Sequence, residues 1–420
     1  MVQIYEHDDQ AESLFPILSS HLPYSISLLR RIQHGIAHPA STAKILATFP
    51  PSAPIPETPW LAARVDLFRG RETQIILYSS LEAEHTSIQP IGPPASDAPL
   101  TGGPDPCSSS STPSDSTSDD DKKTYSVATL TASPEQLSLA RDQLLALLVY
   151  TKTNLLPEYL DSLPNRGEKI ESEAKTESSG VPLIPAPDPK AFLIGTMHTG
   201  LYTLLLRDGV FPVPSENENE DASILLPGLK VHRFDNPPYF KIFFPRQTFT
   251  VKDGDSEIPL PEGYRFHDRQ GRIGVLDSHL DLVQSRTHIP RSRAQLSIMP
   301  GVAIYHDDPE KENTKTGDEM PIAWAFLGLD GPVATLHVEP EHRGRGLALS
   351  LTKETMRRGM DPNGVFGIER LGFADEKLGE ELGSWVHTEV AQYNKASRRV
   401  MQKVGGEILT TVMWTVVELL

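Results

Sequence analysis

The residues best suited to chemistry lie in one stretch, Thr335-Leu-His-Val-Glu-Pro-Glu-His-Arg-Gly-Arg-Gly-Leu-Ala-Leu-Ser350. A β-like run stops at Pro340, an Arg-Gly-Arg-Gly loop follows, and Leu347 and Leu351 then begin a helical pattern. Glycine lets a backbone reach positive φ and approach a ligand closely. The unpaired N–H groups and positive dipole end of a helix start favour phosphate. Arg343 and Arg345 add positive charge to a chain whose net charge is −17. The sharp reading is a site for a pyrophosphate-bearing cosubstrate, and the plain one is a surface turn with solvated arginines. The loop is neither a Walker loop, since no Gly-Lys-Ser/Thr follows, nor a Gly-x-Gly-x-x-Gly fingerprint, because Leu349 stands where the third glycine belongs.

A second segment supports the sharp reading. After Trp385-Val-His-Thr-Glu-Val390 comes Ala-Gln-Tyr-Asn394-Lys-Ala-Ser397, then Gly405-Gly406. Asn394 is placed to cap a helix. Ala396, Val400 and Val404 form its apolar stripe, and the glycine pair ends it.

Together the two segments resemble the GNAT superfamily of acyl-CoA-dependent N-acyltransferases. The Arg/Gln-x-x-Gly-x-Gly/Ala signature reads Arg343-Gly-Arg-Gly346-Leu-Ala348 here, and the downstream Asn-x-x-Ser element is matched by Asn394 and Ser397. Pro321-Ile-Ala-Trp324, Pro340-Glu-His-Arg343 and Leu296-Ser-Ile-Met-Pro300 look like the glycine N-acyltransferase-like branch. More faintly, so does the run from Leu22 to Gly35. The strong resemblance covers roughly the last third of the chain.

The resemblance implies a cosubstrate, acetyl-CoA or another acyl-CoA, and no metal. It implies that the amides of Arg343, Gly344, Arg345, Gly346, Leu347 and Ala348 hold the pyrophosphate. The backbone around His337 and Val338 would pair with pantetheine, and Asn394 would sit near the same arm. The acceptor is expected to be a primary amine of a small molecule or amino acid, acylated by direct attack. A general base assists that attack, but the positions where the resemblance places a glutamate and a tyrosine read Pro332 and Met401. His337 and Glu389 are the substitute candidates. His337 titrates near neutral pH, and Glu389 ends the neighbouring strand. Each has a plainer reading, a packed strand histidine and a surface carboxylate. Three rival readings are an acyl-CoA-binding module without catalysis, an acetyltransferase for proteins and a plain scaffold with no ligand.

The elements that must position these residues are less sharply marked. The expected fold class is α/β: a GNAT fold with a mixed, mostly antiparallel twisted sheet over residues 251–420. An α/β N-terminal half, residues 1–250, reads as a degenerate relative of the same fold. Helices are expected over Ala11 to Ser20, Ser41 to Thr48, Pro134 to Leu160, Phe192 to Arg207, Gly271 to Ser285, Arg291 to Ser297, 347–360 and Lys395 to Val404. Strands are expected over Tyr24 to Gln33, Leu61 to Phe68, Gln74 to Tyr78, Tyr125 to Leu130, Tyr239 to Phe244, Val302 to Tyr305, Ile322 to Leu327, Val333 to Val338, Trp385 to Val390 and Ile408 to Val417. Residues 95–123 and 164–190, rich in Pro, Ser and acidic groups, read as disordered insertions.

Composition bounds the rest. An acidic chain is a poor partner for nucleic acid. The single cysteine, Cys107, permits no intrachain disulfide. No apolar run reaches about 18 residues and the N-terminus has no leader pattern, so no membrane partner and a cytoplasmic location are expected.

Overall fold

The computed structural model describes all residues except 1, 9, 52, 92–124, 164–185, 213–224, 252–255, 288, 290, 308–317 and 368–375. Both expected insertions fall largely outside the described residues. The first half runs β1 (Tyr5–Glu6), α1 (Gln10–Ser20), α2 (Ile26–Ala37), β2 (Lys44–Ala47), β3 (Leu61–Val65) and β4 (Ile75–Ser79). A short helix α3 (Leu81–His85) and a hairpin, β5 (Thr86–Ile91) and β6 (Tyr125–Leu130), come next. Helix α4 (Pro134–Tyr150) passes through a π-turn into α5 (Leu156–Ser162), followed by β7 (Ala191–His198), α6 (Thr199–Thr203), β8 (Leu229–Phe234) and β9 (Tyr239–Pro245). The second half holds β10 (Tyr264–Arg265), α7 (Leu280–Arg286), α8 (Arg293–Ile298), β11 (Gly301–His306), β12 (Ala323–Leu327) and β13 (Val333–Val338). It continues with α9 (Leu347–Gly359), α10 (Glu376–Leu382), β14 (Trp385–Ala391), α11 (Lys395–Val404) and β15 (Glu407–Leu419).

Nine strands form one mixed sheet in the order β1-β2-β3-β4-β7-β15-β9-β14, with β8 also paired to β15. Four more, β10-β11-β12-β13, form a second sheet. The halves exchange strands. The last strand, β15, lies between β7 and β9, and β14 pairs with β9 over its whole length. The large sheet therefore draws on both sides of residue 250. Helix–helix–strand–strand–strand–helix–strand–helix occurs twice, as α1, α2, β2, β3, β4, α4, β7, α6 and as α7, α8, β11, β12, β13, α9, β14, α11. In each set the third strand meets the fourth in parallel. The first set is interrupted by α3, the hairpin and α5, and the second by α10.

Several expectations are corrected. The strand expected over residues 24–33 is instead the first part of helix α2, which begins at Ile26. Leu28, Leu29, Ile32, Arg30 and Gln33 are all buried, so the helix is covered on every side and shows no exposed polar face to mark a 3.6 period. The reverse error occurs at β7, read as a helix. All eight of its residues are buried, so the period-two alternation that marks a strand is missing. Residues 44–47 are strand β2 rather than a helix. The helix expected from Gly271 starts only at Asp277, because Gly271 and Gly274 hold positive φ. The remaining elements fall near their expected positions.

Candidate active site

Strand β13 carries the chemistry and has an unusual shape. It pairs with β12 through Leu327↔Val333, Phe326↔Ala334, Trp324↔His337 and Ala323↔Val338, so one extra residue lies on β13 between the second and third pairs. Thr335 absorbs it with φ of 54°, an uncommon value for a β-branched residue. On its other side β13 meets β14 at one place. An isolated parallel bridge joins Pro332 to His387, and Thr388 Oγ1 donates to the Val333 carbonyl at 2.7 Å. Beyond that junction no ladder joins the two strands among the described residues. From there the two strands separate.

The glycine loop lies at the far end of β13. A single turn, Pro340–His342, leads to Gly344 (φ 78°) and Gly346 (φ 83°), the N-cap of α9. A Cβ at either glycine would meet nothing within 4 Å, so the loop faces open space. Arg343, Gly344, Arg345 and Gly346 are exposed, while Leu347 is buried against Val333 and Leu351 and anchors the helix start. Among the described residues, the amides of Gly344, Arg345, Gly346, Leu347 and Ala348 find no backbone acceptor. The Arg343 side chain turns back, its Nε donating to the Val338 carbonyl at 2.9 Å. Asn394 caps α11 by accepting from the Ser397 amide at 3.0 Å, and α11 packs on α9. These residues fit a diphosphate: aligned uncommitted donors, a helix of 13 residues behind them and no side chain in front.

The equivalent region of the first half is filled. Residues after β4 form α3 instead of a glycine loop, and the hairpin covers the place where β4 and β7 part. Ala128 of β6 donates to Thr199 Oγ1 at 3.0 Å and to Thr411 Oγ1 at 2.6 Å. Gln392 clasps the Ser126 backbone at 2.8 and 2.6 Å.

The two base candidates have different surroundings. His337 stacks on Trp324 with ring centroids 4.6 Å apart and planes 18° off parallel. Trp324 packs with Leu280, Val283 and Leu296 of α7 and α8. His337 Nε2 is 3.5 Å from Glu339 Oε2 without hydrogen-bond geometry, and burial holds its pKa below the usual value. It has the environment of a packed strand histidine. Glu389 is not a surface carboxylate. Its side chain is 6% exposed and lies on the face of β14 opposite Val386 and Val390, which enter a second core built from β9, β11, β12, α9 and α11.

That face holds a buried polar cluster. His387, fully buried, has Nε2 3.1 Å from Glu389 Oε1 and 3.2 Å from Ser27 Oγ of α2. Lys241 of β9, the register partner of Glu389, donates to Ser27 Oγ at 2.7 Å and reaches Thr196 Oγ1 at 3.5 Å. Burial alone would raise the Glu389 carboxyl, but His387, Lys241 and Arg291 outweigh it and hold its pKa below the ordinary value. Burial lowers both His387 and Lys241. Sequence reading singled out Glu389 but missed His387, Lys241 and Ser27. The Trp-Val-His-Thr-Glu alternation, two ionisable groups on one strand face, was the available signal. Met401 is buried in the second core, and Pro332 lies directly across from His387. Among the described residues, no group of three His, Cys, Asp or Glu side chains could hold a metal ion.

Comparison with known proteins gives one family match and several distant structural likenesses. The family model for the acyl-CoA N-acyltransferase verG N-terminal domain matches residues 1–242. No curated protein matches in sequence. A Drosophila protein is similar over 99% of this chain and 98% of its own, at 10% identity and a TM-score of 0.43. A GCN5-related N-acetyltransferase from Kribbella flavida is similar over 54% of this chain and 67% of its own, at 12% identity and a TM-score of 0.28. A tandem GNAT protein from the clavulanic acid biosynthesis pathway is similar over 54% of this chain and 63% of its own, at 13% identity and a TM-score of 0.30. The family match spans more than half the chain, and the chain belongs to the acyl-CoA N-acyltransferase family of the verG N-terminal domain.

Proposed function

We propose that this protein transfers an acyl group, acetyl in the simplest case, from CoA to the primary amine of a small molecule or amino acid. One observation carries the reading. A strand that leaves its parallel neighbour after a single bridge runs straight into uncommitted amides, Gly344 to Ala348, at a helix start. The loop would hold the diphosphate, with Arg343 and Arg345 adding charge. For that, Arg343 must release the Val338 carbonyl, which frees the strand edge for an amide of the pantetheine arm. From the loop to the junction, β13 spans about 17 Å, comparable to the extended arm between diphosphate and sulfur. The thioester would therefore lie beside Pro332 and His387, fixed next to the acceptor. Asn394, at the start of α11, would close the same side.

The acceptor would enter from the face of β14 that carries His387 and Glu389, between the two halves. Glu389 takes part from within the buried cluster, and His337 acts by holding β13 on Trp324. Calorimetric titration with CoA and acetyl-CoA tests the reading, paired with thiol release from acetyl-CoA in the presence of glycine, tyramine or spermidine. Binding weakened by phosphate would support it. No binding of either thioester or free CoA would reject it.

A further inference from the structure

We propose that His387 is the general base of this site, with Glu389 and Ser27 as the residues that position its ring. The inference rests on the acyl-transfer reading above and adds the group that takes the proton. Four observations carry it.

His387 stands at the junction. It is the residue of β14 bridged to Pro332, the last point of contact before β13 and β14 part. Its Nε2 is hydrogen-bonded to Ser27 Oγ at 3.2 Å and lies 3.1 Å from Glu389 Oε1, an ion-pair distance without hydrogen-bond geometry. Its Nδ1 is buried and finds no hydrogen-bond partner among the described residues. A buried ring nitrogen without a partner costs free energy comparable to a lost hydrogen bond, so it marks a place where another group belongs. The charge around the ring sets its tautomer. An anionic Glu389 is best served by an N–H on Nε2, which leaves Nδ1 with its lone pair. Every element packed here contributes: Ser27 from α2, Thr196 from β7, Lys241 and Phe243 from β9, Asp330 from the β12–β13 turn, and Arg291 from the segment before α8. Burial lowers the pKa of the imidazole, which favours the neutral form that a base requires.

The step balances without another reactant. The amine nitrogen forms the C–N bond to the thioester carbonyl carbon, and the C–S bond breaks. The nitrogen's proton passes to His387 Nδ1, and Glu389 steadies the imidazolium so formed. The same proton then returns to the departing sulfur, which leaves as CoA thiol. The cycle restores neutral His387.

The test has an arm that does not need the acceptor. In ¹⁵N-histidine-labelled protein saturated with CoA, the ring signals that disappear in His387→Gln are expected to show Nε2–H and a bare Nδ1 at pH 7. In Glu389→Gln that preference is expected to weaken. Thiol release from acetyl-CoA with the amines named above is expected to fall by roughly two to four orders of magnitude in His387→Gln, with unchanged calorimetric affinity for CoA. Glu389→Gln is expected to shift the pH profile of turnover rather than abolish it. An Nδ1–H tautomer, an imidazolium at pH 7, or undiminished turnover in His387→Gln would overturn the assignment. CoA affinity in the wild type separates the two layers. Its absence rejects acyl transfer itself, whereas binding with the wrong tautomer rejects only the base.

Discussion

Replacing Gly346 tests the phosphate loop, because the structure separates the two effects of a side chain there. Gly346 has φ of 83° and nothing within 4 Å of an added Cβ. Gly346→Ala therefore adds only left-handed backbone strain, about 1 kcal/mol, with no clash. Gly346→Glu adds the same strain and a carboxylate beside the diphosphate. Two like charges about 4 Å apart repel by about 4 kcal/mol at an effective dielectric near 20. The loop is exposed, and screening by salt removes about half of that. The remaining ~2 kcal/mol corresponds to roughly thirtyfold in Kd. Calorimetry with CoA on both variants reads the ratio directly, since the strain cancels between them. The Glu variant should bind roughly thirtyfold more weakly than the Ala variant, and the gap should narrow as salt rises. Equal affinities would refute a diphosphate at this loop.

Other expectations follow from single side chains. His198 is fully buried, and burial pushes its pKa down to about 3. The unfolded chain protonates near pH 6.5 while the folded one does not, so stability is complete above that value and is lost as pH falls toward 3. At pH 5 this one group removes ~2 kcal/mol, and His198→Asn should flatten the fall in melting temperature between pH 7.5 and 5. An unchanged slope would contradict the assignment. Ser133 caps α4 in a reciprocal pair with Gln136, at 3.3 and 3.0 Å. Ser133→Ala should cost ~1 kcal/mol, read as a lower urea midpoint. His337→Ala should lower both melting temperature and turnover by removing the ring on Trp324, whereas His337→Phe should restore both. A well-folded but inactive Phe variant would show that the imidazole itself reacts.

The parts of this protein that sequence makes legible are those whose geometry is local. Two glycines spaced by one residue before an apolar helical stripe specify strand, loop and helix start, and the structure places them so. Asn394 reads as a cap for the same reason: its acceptor, the Ser397 amide, is three residues away. The Asp330-Gly331 turn between β12 and β13 is local as well, with Gly331 at φ 87°. Pattern failed where an element is buried on all sides. Helix α2 and strand β7 both lost the alternation that distinguishes 3.6 from 2, and each was read as the other type.

From the sequence alone came the glycine loop at a helix start, the superfamily resemblance and one ionisable group on β14, Glu389. Their roles depended on contacts that no spacing records. Ser27, Lys241 and His387 are separated by 214 and 146 positions, and they meet because β9 and β14 pair across the two halves beneath α2. A turn is encoded by the few residues that form it. A buried charge cluster depends on what covers it, and here that cover comes from the opposite half of the chain.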